Sequence, residues 1–242
     1  MENQKSNEMT TTQPRRSVQR RGRQLMVIGA LVLMSGVLVA ALGFVISLIF
    51  GSGFFGSLII VFGGLVFLAG IGLMIRGVTL RKDNEEADSV AGILKVVLDA
   101  RYTLVGNVKQ RGLNYIDAVL VGPPGALVMR VSKQSGTFRN EDLDWLESRN
   151  GKPPILSGHK FSLECLQDVL SLREYLGKHG LTSIPVYGIV IFINPDVQLS
   201  ASNPRIPFAD IRTLLPVMRE DFLREDRIPQ QVCEAAVQLL SA

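Results

Sequence analysis

The residues best placed to do chemistry lie in YIDAVLVGPPGALVMRVSKQSG, residues 115–136. Asp117 stands near the start of one apolar run, and Arg130, Ser132 and Lys133 stand near the end of the next. Between the runs, Gly122-Pro-Pro-Gly125 is turn chemistry that reverses the chain. Side chains two apart on a strand share a face, so Arg130 and Ser132 point one way and Lys133 the other unless a bulge intervenes. A carboxylate on such a hairpin serves metal-dependent phosphodiester cleavage when a second acid and a lysine stand beside it. Here the second strand offers a guanidinium and a hydroxyl where that chemistry needs the acid and the lysine. An ion pair between Asp117 and Arg130 is therefore the expected contact.

The rest of the chain narrows the chemistry further. Cys165 and Cys233 are the only cysteines, and His159 and His179 the only histidines. Their number and spacing exclude a structural zinc site and a histidine-based triad, and the thiols are expected to be buried and reduced. The formal charge is +4, which invites a nucleic-acid partner until it is located. Six of the 26 Lys and Arg and two of the 22 Asp and Glu fall within residues 1–24, so everything after residue 24 holds twenty of each. Net charge gives the later domain no electrostatic argument for DNA.

No charged residue occurs from Leu25 to Ile75. Such a run predicts two membrane spans, about 25–50 and 54–75, divided by Gly51-Ser52-Gly53. Lys and Arg flank both outer ends and are missing from the connection, which places both termini in the cytoplasm of a bacterial inner or plasma membrane. Glycines recur every seven residues at 29, 36 and 43 and again at 56, 63 and 70. Each set gives its helix one smooth seam, suited to closing the hairpin or to pairing two copies of the chain. The spans lack the polar groups of an ion path, so they read as an anchor. The basic stretch PRRSVQRRGR is expected to be unstructured and held near anionic head groups.

Three parts follow: a basic tail 1–24, a transmembrane hairpin 25–80 and a cytosolic domain 81–242. In the last, periodicity predicts an amphipathic helix over 83–101 and strands over 102–108, 115–121 and 126–132. A polar excursion over 137–158 carries Trp145. A helix over 161–176, a buried strand over 185–193 and closing helices over 211–218 and 232–240 complete a small mixed-sheet α/β domain.

This domain resembles the NERD, or nuclease-related, domain of the PD-(D/E)xK nuclease-like group. The resemblance covers roughly residues 82–220. It rests on a Tyr-led strand ending in Asn107-Val108, Ile116-Asp117 before an apolar strand, the Val121-Gly-Pro-Pro-Gly125 turn, Ser135-Gly136-Thr137, Trp145, and the strand running to Asn194. It implies a restriction-endonuclease-like fold and a divalent-metal site. The family's first acid falls on Asp117, its second acid on Arg130 and its lysine on Ser132. A helix acid corresponds loosely to Glu85 or Glu86, and a later helix glutamine loosely to Glu164. With Arg130 repelling a metal, the resemblance implies a degenerate, non-catalytic module that binds a protein partner or nucleic acid at the membrane and needs no cofactor. The alternative is an active or residual nuclease acting on DNA or RNA, with Mg or Mn held by Asp117 and Glu86 and with Lys133 swung in.

Overall fold

The structure is a computed structural model describing residues 8–12, 17–50, 53–148 and 153–242, with side chains described from 26–49, 54–75 and 87 onward among the helical segments. It divides into a helical unit, 16–84, and an α/β unit built from 1–15 and 85–242.

The helical unit holds α1 (Ser17–Phe50) and the first part of α2 (Gly53–Lys95). Each contains a stretch long and apolar enough to cross a membrane, Met26–Ile49 and Phe54–Ile75. The six seam glycines are buried, while large apolar side chains such as Leu48 and Phe54 are exposed. A Cβ on Gly36 would lie 2.6 Å from the Phe67 nitrogen, and one on Gly63 2.6 Å from the Ala40 nitrogen. Gly70 faces Leu33 in the same way. Off the seam, Gly64 and Gly72 meet nothing within 4 Å. The two seams therefore face each other within one chain.

Two expectations are corrected here. Residues 17–23 of the basic stretch are helical, because α1 starts at Ser17. The second span and the amphipathic helix are one helix, α2, ending at Lys95. Nothing in RGVTLRKDNEEADS stops a helix: it lacks proline and is rich in good helix formers. The turn residues Gly51 and Ser52 lie outside the described residues.

The α/β unit is built on a six-stranded mixed sheet. In chain order its strands are β1 (Thr10–Thr12), β2 (Thr103–Val108), β3 (Ile116–Gly122), β4 (Gly125–Ser132), β8 (Val186–Phe192) and β10 (Phe208–Asp210), which also lie in that spatial order. The pairs β2–β3 and β3–β4 are antiparallel; β1–β2, β4–β8 and β8–β10 are parallel. A second sheet, absent from the sequence reading, occupies the polar excursion. It consists of β5 (Gly136–Asp142), β6 (Asp144–Ser148), β7 (Ile155–Leu156) and the later β9 (Val197–Pro204), ordered β7-β6-β5-β9.

Parity sorts the core. Leu104, Leu120, Met129 and Ile191 face the end of α2, where Ala87, Val90 and Leu94 are buried, and the helix α4 (Leu214–Glu220). Val105, Val119, Val128 and Val186 face α3 (Phe161–Lys178) and α5 (Gln230–Ser241). An aromatic cluster of Phe138, Trp145, Phe161 and Phe192 fills the third space. Helix α3 lies tight on β8 at Gly188, where a Cβ would stand 2.7 Å from Val169 and 2.9 Å from the Cys165 sulfur.

Candidate functional site: a caged arginine

Strand parity places Asp117 on β3 and Arg130 on β4 on the face covered by α3, since both share parity with Val119 and Val128 of that core. Glu164 and Asp168 are one turn apart on α3 and reach down to the same point. The Arg130 guanidinium is held by all three acids. Its Nη2 donates to Glu164 Oε2 at 2.6 Å, its Nη1 donates to Asp168 Oδ2 at 3.4 Å, and its Nε lies 3.9 Å from Asp117 Oδ2. The expected Asp117–Arg130 pair thus exists as the longest of three contacts. The nearest partner is Glu164, which the resemblance had placed here only loosely, and Asp168 was not foreseen.

Burial orders these contacts differently. The Glu164 side chain is 44% exposed, that of Asp117 13% and that of Asp168 7%. Asp117 is fixed as well by the Val131 N–H, which donates to its Oδ2 at 2.9 Å. Burial pushes the Asp168 carboxyl up to about 6; Arg130 opposes the rise, and the charges of Asp117 and Glu164 add to it. For Arg130, burial works against the charge, but the three carboxylates outweigh it and hold the guanidinium above its ordinary value. Beneath them Cys165 is buried, and desolvation raises its thiol to about 12, so it is inert as a nucleophile. Cys233 is likewise buried and free.

The remaining candidates lie apart from the cage. Ser132 is buried, and its Oγ accepts the Gln134 N–H at 3.2 Å, closing a local turn. The β4–β8 register runs without a shift from Ala126 to Ser132. No bulge up to that point turns Lys133 onto the Asp117 face, and the Lys133 carbonyl accepts from Asn194 Nδ2 at 3.2 Å. The side chain of Glu86 lies outside the described residues. Among the described residues no group of three or more His, Cys, Asp and Glu is disposed to hold a metal ion. The three acids that do converge are turned onto a guanidinium.

Asn107 stood out in the sequence only for its place in a strand. It adopts φ 54°, a left-handed conformation that asparagine tolerates best after glycine, and its Oδ1 accepts from the Tyr115 hydroxyl at 2.8 Å. The pairs Gly106–Ala118 and Val108–Ile116 put it level with Asp117. Comparison with protein-family models, curated proteins and solved structures found no match.

Proposed function

We propose that this chain is a membrane-anchored, nuclease-related module in which a guanidinium replaces the catalytic metal, and that it acts by binding or scaffolding at the inner face of the membrane. One observation carries the reading. Carboxylates from β3 and α3 converge on one point of the sheet face, and the point is filled by Arg130 of β4. A fixed positive charge there satisfies the acids and leaves no site for Mg²⁺ or Mn²⁺, so the module keeps a restriction-endonuclease-like frame and loses its hydrolysis. The spans then serve as the anchor.

The topology has its own support. Thr10–Thr12 precedes the first apolar helix and β2 follows the second, yet both pair in one sheet. A chain that crosses twice returns to the side it left, and the basic flanks make that side the cytoplasm.

The test is cleavage of single- and double-stranded DNA and RNA by the full chain in detergent with Mg²⁺ or Mn²⁺, beside Asp117→Asn. No cleavage by either is expected; cleavage that vanishes in Asp117→Asn overturns the reading in favour of a rebuilt nuclease. A second arm removes the guanidinium. Arg130→Ala leaves three acids facing one another, so Mn²⁺ should raise its melting temperature and leave the wild type unmoved. At a concentration of 100 Kd the gain is about 2.7 kcal/mol. An Arg130→Ala protein that ignores Mn²⁺ shows that the cage does not have metal-site geometry.

A further inference from the structure

The outer edge of β8 is only half covered. β10 pairs with Val190, Ile191 and Phe192 alone. In the parallel ladder with β4, the Ala126 N–H donates to the Pro185 carbonyl and the Ile193 N–H to the Ser132 carbonyl. Odd-numbered residues of β8 therefore turn their main-chain groups toward β4, and Val186, Gly188 and Val190 turn theirs outward. Val190 is satisfied, its N–H donating to the Pro207 carbonyl at 3.0 Å. Beyond Pro207 the chain leaves the edge. The Arg205 N–H bonds to the Asp142 carbonyl, because β9 belongs to the second sheet and the chain is crossing between sheets. Among the described residues, no strand lies against Val186 and Gly188 on this side.

A cavity of about 470 Å³ runs along this bare edge. One wall is Val169 of α3; the other is Met218 and Phe222 from α4 and the turn after it. Tyr187 and Phe222 meet edge-on at 5.6 Å between centroids, and the Arg227 guanidinium caps the Tyr187 ring at 5.5 Å. The rim carries both signs. Arg227 has Glu225 at 3.4 Å and Arg205 has Asp142 at 4.0 Å. Glu220, Asp221 and Arg224 are exposed on the same rim, and no ion pair among the described residues neutralises any of the three.

We propose that this slot binds an extended peptide segment of a partner, added as a short strand to the bare edge of β8, with a basic residue set against Glu220 and Asp221. Two features select this occupant. The donors and acceptors of Val186 and Gly188 repeat every second residue, a spacing that another main chain matches group for group. The uncompensated rim charge, Glu220 and Asp221 against Arg224, is net acidic by one, which favours a single Lys or Arg on the segment. The site is separate from the Arg130 cage and stands whether or not that cage is a vestige.

The probe is a fluorescein-labelled, C-terminally amidated hexapeptide, Lys-Val-Thr-Val-Lys-Val, titrated with the full chain in detergent and followed by anisotropy. Two further peptides carry N-methyl groups on alternate amides, one in each register. Strand addition uses only one set of amides. One methylated peptide should therefore lose about tenfold or more in affinity while the other keeps it. The double variant Glu220→Lys with Asp221→Lys, altered only at exposed positions, should weaken the parent peptide by a similar factor. The proposal is overturned if the parent does not bind, if methylation in both registers or in neither has an effect, or if the double variant binds as well as the wild type. The Mn²⁺ response of Arg130→Ala is read independently, so failure of either idea leaves the other measurable.

Discussion

At the scale of single residues, the cage sets one titration apart. Asp168 sits between the Arg130 charge and the acids Asp117 and Glu164, with Cys165 beneath, and burial takes it to about 6. In the unfolded chain it has an ordinary carboxylate value. Between that value and about 6 the folded protein holds a proton that the unfolded chain has released. Stability from this residue is therefore full at the acid end, falls as pH rises through the window, and levels off above it. Asp210, lowered by Thr213 and Arg212 against its burial, contributes with the opposite sign at the acid end. The clean observable is thus the difference between the wild type and Asp168→Asn. Unfolding followed through Trp145, the single and fully buried tryptophan, should show the wild type gaining on Asp168→Asn as pH is lowered from 7 to 5. A difference that stays flat across that range removes the titration from Asp168.

At the scale of elements, the glycine seam gives the sharpest expectation. Gly36 and Gly63 each sit within 2.9 Å of the other helix's backbone if given a Cβ, and Gly64 and Gly72 have open space. Gly36→Leu and Gly63→Leu must push the helices apart and lose contact along the seam, whereas Gly64→Leu should be silent. The SDS fraction needed to disrupt the hairpin should fall for the first two and hold for the third; equal behaviour of all three detaches the seam from packing. This register was legible in the sequence because a seven-residue repeat needs no tertiary context. So were β3, β4, α3 and β8, whose apolar runs are long and whose ends carry Gly or Pro. The second sheet was not. In β5 the inward positions are Phe138 and a buried asparagine, Asn140, so the alternation lacks its apolar mark, and β9 is exposed along most of its length. Asp168 escaped for a related reason. Its partner lies 38 positions earlier, and only the packing of α3 over β4 brings the two together.

At the scale of the whole molecule, the first residues matter more than their composition suggests. Met9 is 3% exposed in the core with Leu98 and Tyr102, its N–H donates to the Leu98 carbonyl at 3.1 Å, and Thr10–Thr12 extends the sheet beside β2. The α/β unit is thus completed by a segment that lies on the far side of the apolar helices in sequence. Two consequences can be measured. Met9→Ala should destabilise the unit that contains Trp145 by about 2 kcal/mol, the low end for emptying a buried methionine, because a three-residue edge strand can shift to fill part of the space. An unchanged transition would detach β1 from that unit. Thr10 and Ser202 are both exposed. Because one sheet holds chain from before and after both spans, Thr10→Cys and Ser202→Cys should react with a membrane-impermeant maleimide from the same side of sealed inverted vesicles. Ser52→Cys should react only when those vesicles are opened. The native Cys165 and Cys233 are buried and should stay silent. Labelling of Thr10→Cys and Ser202→Cys from opposite sides would break both the double crossing and the β1–β2 pairing, because an even number of crossings and a shared folded unit each keep the two positions on one side; Met9→Ala should then leave the transition of that unit unchanged.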